Sequence, residues 1–217
     1  MKSIRKQREP LSLVSHRLTQ HATYANLDKT EVRDSLLQEQ GYICCYCMRR
    51  IPEKSSNPGC KIEHYLCQEE NGDKELQYSN MLLACTGQEG LPYRLQTCDS
   101  HKGNLILTCN PTARGNIELL IKYKSNGEIY SNDANIDNDL NKVLNLNVKT
   151  LKDNRRVMYE EIQGRIRGEG KRLGNKALKK SFLESEKEKL LSIPKGKYRE
   201  YCMVGVYIID KKLKKII

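Results

Sequence analysis

The chain has 217 residues, of which 38% are hydrophobic and 30% charged; its net charge is +11 and it has no tryptophan. That length suits one domain, or one domain with an appendage, around a real buried core. No apolar run approaches the ~20 residues of a membrane span, and MKSIRKQREP has neither the apolar stretch nor the small-residue cleavage site of a secretory signal, so a cytoplasmic protein, neither secreted nor membrane-bound, is expected.

Residues 1–29 read as an N-terminal arm. TEVRDSLLQEQ predicts a helix over Thr30–Gln40, with Asp28 or Thr30 as its cap, Val32, Leu36 and Leu37 on one face, and Gly41 at its end. GYICCYCMRRI follows as a strand or tight knuckle, SSNPGC as a turn, KIEHYL as a short strand and QEENGDKELQ as a polar loop. Ser79–Cys85 has helical character. After a second loop and the segment Asp99–Leu107, ELLIKY and EIY joined by KSNG predict a hairpin. A long helix is expected over Leu144–Ile166, a Gly/Arg-rich hinge over Gly164–Gly174, and a charged helix over residues 176–191. Beyond a break at Pro194–Lys197, the spacing of Tyr201, Gly205, Ile208, Ile209, Leu213 and Ile216 predicts a final amphipathic helix. Three regions follow: an arm over 1–29, a domain over 30–140, and a basic, mainly helical region over 141–217. That last region holds 21 Lys and Arg against 9 Asp and Glu, a net of +12, whereas residues 1–140 hold 17 against 18. Such asymmetry points to a polyanion, nucleic acid first, or to a solvated lysine-rich surface.

The nine cysteines form an odd set, and in a reducing compartment clustered thiols read as metal ligands or redox groups rather than disulfides. Cys44 and Cys47 form a C-x2-C pair, a spacing that lets two thiolates hold one tetrahedral Zn²⁺. Cys85 and Cys98 can supply the other half across a 12-residue loop. A thioredoxin-like redox pair is disfavoured because no βαβ pattern surrounds it. Cys45 and Cys202 read as packing thiols, while Cys60, Cys67 and Cys109 remain alternative ligands. Between the cysteine pairs stand Glu63-His64 and then Asn80; Asp99 and His101 follow Cys98 at once. Taken singly, each has a plain structural reading, but their order among the cysteines is a site signal.

These residues resemble the pattern of the HNH, or ββα-metal, nucleases: a Cys pair, an acidic-His doublet, an Asn, and a last ligand beside the second Cys pair. The elements are Cys44-Cys45-Tyr46-Cys47, Ile62-Glu63-His64-Tyr65, Asn80-Met81-Leu82-Leu83-Ala84-Cys85 and Cys98-Asp99-Ser100-His101-Lys102-Gly103. Over roughly residues 30–160, LLQEQGYICCYCMRRI, IEHY, NMLLAC, TCDSHKGN and LNLNVKTLKDNRR are further similar to the HNH component of bacterial Septu antiphage systems and to retron-associated HNH proteins. The resemblance implies an α+β protein with a ββα-metal core flanked by helices, cleaving phosphodiester bonds. DNA is favoured and RNA, tRNA included, is possible. It also implies an ABC-type ATPase as partner in phage defence. The basic C-terminal region could dock that partner or clamp nucleic acid, and the apolar face of the last helix favours docking. His64 would be the general base, and Asn80 would hydrogen-bond its imidazole. Glu63 would ligate Mg²⁺ or Mn²⁺, joined by Asp99, which matches the position, or His101, which matches the residue type. Arg49, Arg50 and Lys102 read as phosphate contacts or as plain basic surface, and the insertion TGQEGLPYRLQT, with Tyr93 and Arg94, as a source of specificity. The competing reading is a non-catalytic zinc module binding nucleic acid or protein.

Overall fold

The computed structural model describes residues 1–53, 59–113, 117–174 and 178–216. A first short helix, α1 (Leu11–Arg17), starts directly after Pro10, a residue suited to a helix entrance because its ring presets φ and it lacks an N–H. The helix expected next forms as α2 (Thr30–Glu39), burying Val32, Leu36 and Leu37. Asp28 Oδ1 accepts from Thr30 N at 3.0 Å, so the aspartate serves the helix entrance. The chain leaves α2 through Gly41, whose φ is +55° and whose hydrogen faces the Tyr198 ring; a Cβ there would lie 2.3 Å from Tyr198 Cδ2.

Residues 42–51 then form a narrow ribbon. Cys44 N donates to Arg49 O (2.9 Å), Met48 N to Cys44 O (3.1 Å) and Ile51 N to Tyr42 O (2.9 Å). Most of the turn expected at residues 55–60 lies outside the described residues. Strand β1 (Lys61–His64) pairs antiparallel with β2 (Met81–Ala84), placing Glu63 opposite Leu82 and His64 opposite Met81. The helix expected at Ser79–Cys85 is therefore corrected to a 3₁₀ turn over Tyr78–Asn80 followed by a strand. All four residues of β2 are buried, so no alternation marks it in sequence, and a short apolar run of that kind suits either element. Its pairing decides, together with Gln40: Gln40 Oε1 accepts from Leu83 N (2.7 Å) and Nε2 donates to Leu83 O (2.8 Å).

Helix α3 (Cys98–Lys102) follows the insertion, which closes on itself through Thr97 N and Gly87 O at 2.8 Å. A single turn, α4 (Ile117–Leu120), leads into the expected hairpin, β3 (Ile121–Tyr123) with β4 (Ile129–Ser131). After α5 (Ala134–Asn138) and a π turn over Asp139–Val143, the long helix α6 spans Lys149–Leu173. Leu144 and Leu146 are core residues of the connection rather than of the helix. The hinge expected at Gly164–Gly174 is overturned, because α6 runs through Gly164, Gly168 and Gly170 and ends at Leu173, with Gly174 beyond it. Ile162 and Ile166 are buried, and ion pairs Arg165–Glu161 and Arg172–Glu169 line its surface.

The charged helix is α7 (Lys180–Leu191), while residues 175–177 lie outside the described set. The last helix is α8 (Cys202–Leu213). Residues 202–206, 208 and 209 are buried as it packs on α6, α7 and β3. Gly205 sits where a Cβ would lie 2.6 Å from Leu190 Cδ1 and 3.1 Å from Ile162 Cγ1. The apolar face expected to dock a partner is thus used within the chain, in one core continuous with the cysteine-bearing half. Among the described residues no helix is long and apolar enough to cross a membrane.

The hairpin turn is fixed to α6 at one point. Gly127 has φ +81°, a Cβ there would lie 1.9 Å from Lys152 O, and its own carbonyl accepts from Arg155 Nε at 2.6 Å. Gly127→Ala is expected to cost at least about 2 kcal/mol, from backbone strain and a clash with rigid main chain. A urea unfolding midpoint equal to that of the wild type would refute this.

Candidate functional site: a four-thiol centre beside a carboxylate–histidine pair

Three elements bring four thiols together. The ribbon presents Cys44 and Cys47, the end of β2 leads into Cys85, and α3 opens with Cys98 at φ +56°. All four are buried, and their sulfurs lie within 4.8 Å of one another. Cys44–Cys98, Cys47–Cys85 and Cys85–Cys98 are 3.9, 3.7 and 3.8 Å apart. A tetrahedral ion with zinc–sulfur bonds of about 2.3 Å sets its sulfurs about 3.8 Å apart, so the thiol cage fits zinc. The closed insertion explains how a 12-residue loop still delivers Cys98 beside Cys85. Cys60, Cys67 and Cys109 are outside this cage.

Burial works against ionisation of Cys44, but hydrogen bonds from Cys45, Cys47, Cys85 and Cys98 drive its pKa well below the ordinary thiol value. Cys45 is buried beside the cage but is not one of its four thiols, and burial first, then Cys44, pushes its thiol pKa up. Two arginines sit in the field of the cage. Burial opposes the charge of Arg49, yet the Cys47 thiolate and a hydrogen bond with Tyr201 hold its pKa above the usual arginine value. Arg155 is fully buried and has no carboxylate partner among the described residues; it donates to Gly127 O, Leu146 O (2.8 Å) and Asn147 Oδ1 (3.0 Å). Burial lowers its pKa, while Tyr123, Cys47, Tyr201 and Cys98 act the other way. A tetrathiolate zinc centre carries two negative charges, and these two cations complement it.

Beside the cage lies a second group. Glu63 is 3% exposed and takes Tyr46 Oη and Lys102 Nζ on Oε1, both at 2.8 Å. Burial first, then the neighbouring Asp99 carboxyl, raise its pKa well above the usual carboxylate value, against the pull of Lys102. Asp99 also faces Lys61 at 3.6 Å. His64 Nε2 lies 2.8 Å from Glu75 O, and Tyr24 meets the imidazole edge-on at 4.6 Å between centroids. A carbonyl can only accept, which assigns the ring proton to Nε2 and leaves the lone pair on Nδ1. Burial lowers the His64 pKa, more than the Glu75 carbonyl raises it, so the ring is neutral at pH 7.

Several residues stand elsewhere than expected. Asn80 does not serve the imidazole: its Oδ1 accepts from Leu66 N (2.8 Å) and its Nδ2 donates to Leu66 O and Lys74 O, locking the loop after β1. The Glu75 carbonyl orients His64 instead. Asp99 lies against Glu63, and His101 has its Nδ1 3.0 Å from Val143 O and its ring stacked on Tyr93 at 4.1 Å. Glu63, Asp99 and His101 do not converge as a trio; among the described residues the four thiols alone make a group of three or more such ligands. Lys102, expected at a phosphate, is 1% exposed and paired with Glu63. Arg50 is spent on Gly41 O (3.3 Å), Tyr42 O (3.2 Å) and Tyr198 O, tying the ribbon to the C-terminal segment. Tyr46 and Glu75 carried no signal in the sequence, because each acts through a partner distant along the chain, Glu63 and His64. Compared with known proteins, the chain matches no family model and no curated protein.

Proposed function

We propose that the protein is a metal-dependent HNH-type endonuclease with a structural zinc, cleaving phosphodiester bonds. The observation that carries this reading is an oriented His64, its Nε2 2.8 Å from Glu75 O, adjacent in β1 to a buried Glu63 that shares its surroundings with Asp99. Two carboxylates plus substrate phosphate oxygens suit Mg²⁺ or Mn²⁺. Such an ion supplies charge stabilisation to the phosphorane-like transition state and the leaving oxygen. The chain does the rest. His64 Nδ1 takes a proton from water, and the Glu75 carbonyl holds the imidazolium that forms. Lys102 balances the Glu63–Asp99 charge from within the fold. The four thiols fix the ribbon and α3, and with them the spacing of Glu63 and Asp99. Asn80 keeps the 65–75 loop closed so that Glu75 O stays in reach of the ring.

DNA is favoured as substrate and RNA stands as the alternative. The +12 charge of residues 141–217 supports a polyanion on that side. A role in phage defence with an ABC-type ATPase rests on sequence resemblance alone. With the α8 face buried in the core, docking would use another surface, and deleting residues 195–217 would expose core rather than test it. A second reading, a zinc-bearing binding module without catalysis, has one observation in its favour: Lys102 already neutralises Glu63. The test is incubation with plasmid DNA and with tRNA in Mg²⁺ or Mn²⁺, with and without the ATPase, beside His64→Ala. Cleavage that the variant lacks supports the nuclease, and the polymer consumed identifies the substrate. No cleavage by zinc-loaded protein in any condition favours the binding module.

A further inference from the structure

A cavity of about 530 Å³ opens between the N-terminal arm, α2 and the segment around Tyr198. Its wall carries Lys2, Arg5 and Arg8, and includes Cys44 and Cys45 of the thiol ribbon, but not Glu63, His64 or Asp99. Two of these cations are available. Arg5 and Arg8 have no ion-pair partner among the described residues, while Lys2 pairs with Glu118 at 3.3 Å and lies over the Tyr198 ring. The single carboxylate in the wall, Glu39, is already engaged by Lys6 Nζ at 2.9 Å and Tyr78 Oη at 2.7 Å. Ser3 adds a buried hydroxyl that has no hydrogen-bond partner, which marks a donor without its acceptor. Tyr198 closes one side, its ring packed on Gly41 and lying under Lys2 Nζ, 4.8 Å from the centroid.

We infer that this cavity binds a nucleoside phosphate. Arginine forks match phosphate oxygens two at a time, so Arg5 and Arg8 would hold the phosphate, with Lys2 and the Ser3 hydroxyl beside it. A bare phosphate would leave most of the volume empty, whereas a nucleoside fills it. The ligand chemistry has two sources, a free nucleotide or the phosphorylated end of a strand. Because Cys44 and Cys45 stand in the wall, occupancy would bear on the ribbon that carries half of the thiol cage. The inference does not depend on the nuclease reading.

Isothermal titration of the full zinc-loaded chain tests it, with AMP, ATP, adenosine, inorganic phosphate, and a short single strand bearing either a 5′-phosphate or a 5′-hydroxyl. Arg5→Gln/Arg8→Gln is titrated in parallel after its melting curve is shown to match the wild type; both side chains are exposed, so the fold is unaffected. The expected result is binding of AMP or ATP, none of adenosine, weaker binding of inorganic phosphate, and at least about tenfold loss in the double variant. Binding of the 5′-phosphorylated strand over its 5′-hydroxyl twin, without mononucleotide binding, assigns the site to a strand end. No binding of any phosphate-bearing probe at millimolar concentration overturns the inference. So do equal affinity of the double variant, inorganic phosphate binding as tightly as AMP, and equal binding of both strands without mononucleotide binding.

Discussion

Purified protein is expected to carry one zinc ion per chain, and replacing Cys98 by Ser is expected to remove both the ion and the fold around it. The four sulfurs are buried at the junction of the ribbon, β2 and α3, so without the metal three mutually repelling or protonated thiols and two nearby arginines are left in a core without compensation. Structural zinc contributes about 10–16 kcal/mol in small zinc peptides, which rivals the ~5–15 kcal/mol net stability of a whole domain. Native mass spectrometry would show one zinc in the wild type and none in Cys98→Ser. Thermal melting would fall by well over ~10 °C on chelation. A chelated protein that keeps both its melting temperature and its near-ultraviolet spectrum would show that the cage is an ordinary thiol cluster.

His64→Ala is expected to abolish cleavage while leaving zinc content and fold intact. The ring makes one hydrogen bond, to Glu75 O, and one aromatic contact, to Tyr24, so its removal costs about 1–2 kcal/mol of stability. Loss of a positioned base costs about 10²–10⁴ in rate. That split separates it from Cys98→Ser, which loses activity because it loses structure. The same assay decides the last ligand. Asp99→Asn is expected to lose cation-dependent cleavage like Glu63→Gln, since Asp99 is the carboxyl beside Glu63. His101→Ala tests the alternative, since its Nδ1 faces Val143 O and its Nε2 stays available as a ligand. Activity lost in His101→Ala and kept in Asp99→Asn, with both folded, would reverse this assignment.

Local signals in the chain were sufficient for the elements whose patterns are local. The α2 face reads from Val32, Leu36 and Leu37, the β3–β4 hairpin from its flanking runs and KSNG turn, and α8 from its apolar spacing. The thiol set also reads from spacing, because C-x2-C admits few uses and two later cysteines complete it. What failed did so for nameable reasons. Met81–Ala84 is apolar throughout, so its period carried no information, and pairing with β1 on one side and Gln40 on the other made it a strand. The glycines of 164–170 suggest a hinge, but burial of Ile162 and Ile166 and flanking ion pairs outweigh a cost of about 1 kcal/mol per glycine. An apolar face on α8 says only that it is covered, not by what.

For the site, residue types and order alone pointed to Cys44, Cys47, Cys85 and Cys98 as a cage and singled out Glu63, His64, Asn80 and, as alternatives, Asp99 and His101, because thiolates, carboxylates and imidazole carry chemistry wherever they stand. Only the tertiary structure shows that Asp99 and His101, two residues apart on one turn, face different neighbours, Asp99 towards Glu63 and Lys61 and His101 towards Val143 O and Tyr93. It also moved Asn80 from the imidazole to the Leu66 backbone, turned Lys102 and Arg50 from presumed surface contacts into internal partners of Glu63 and Tyr198, and brought Tyr46 and Glu75 into the site. Those assignments depend on where a side chain's end meets a group far along the chain. Sequence spacing encodes which residues can share a face, but not which distant partner the fold will set against them.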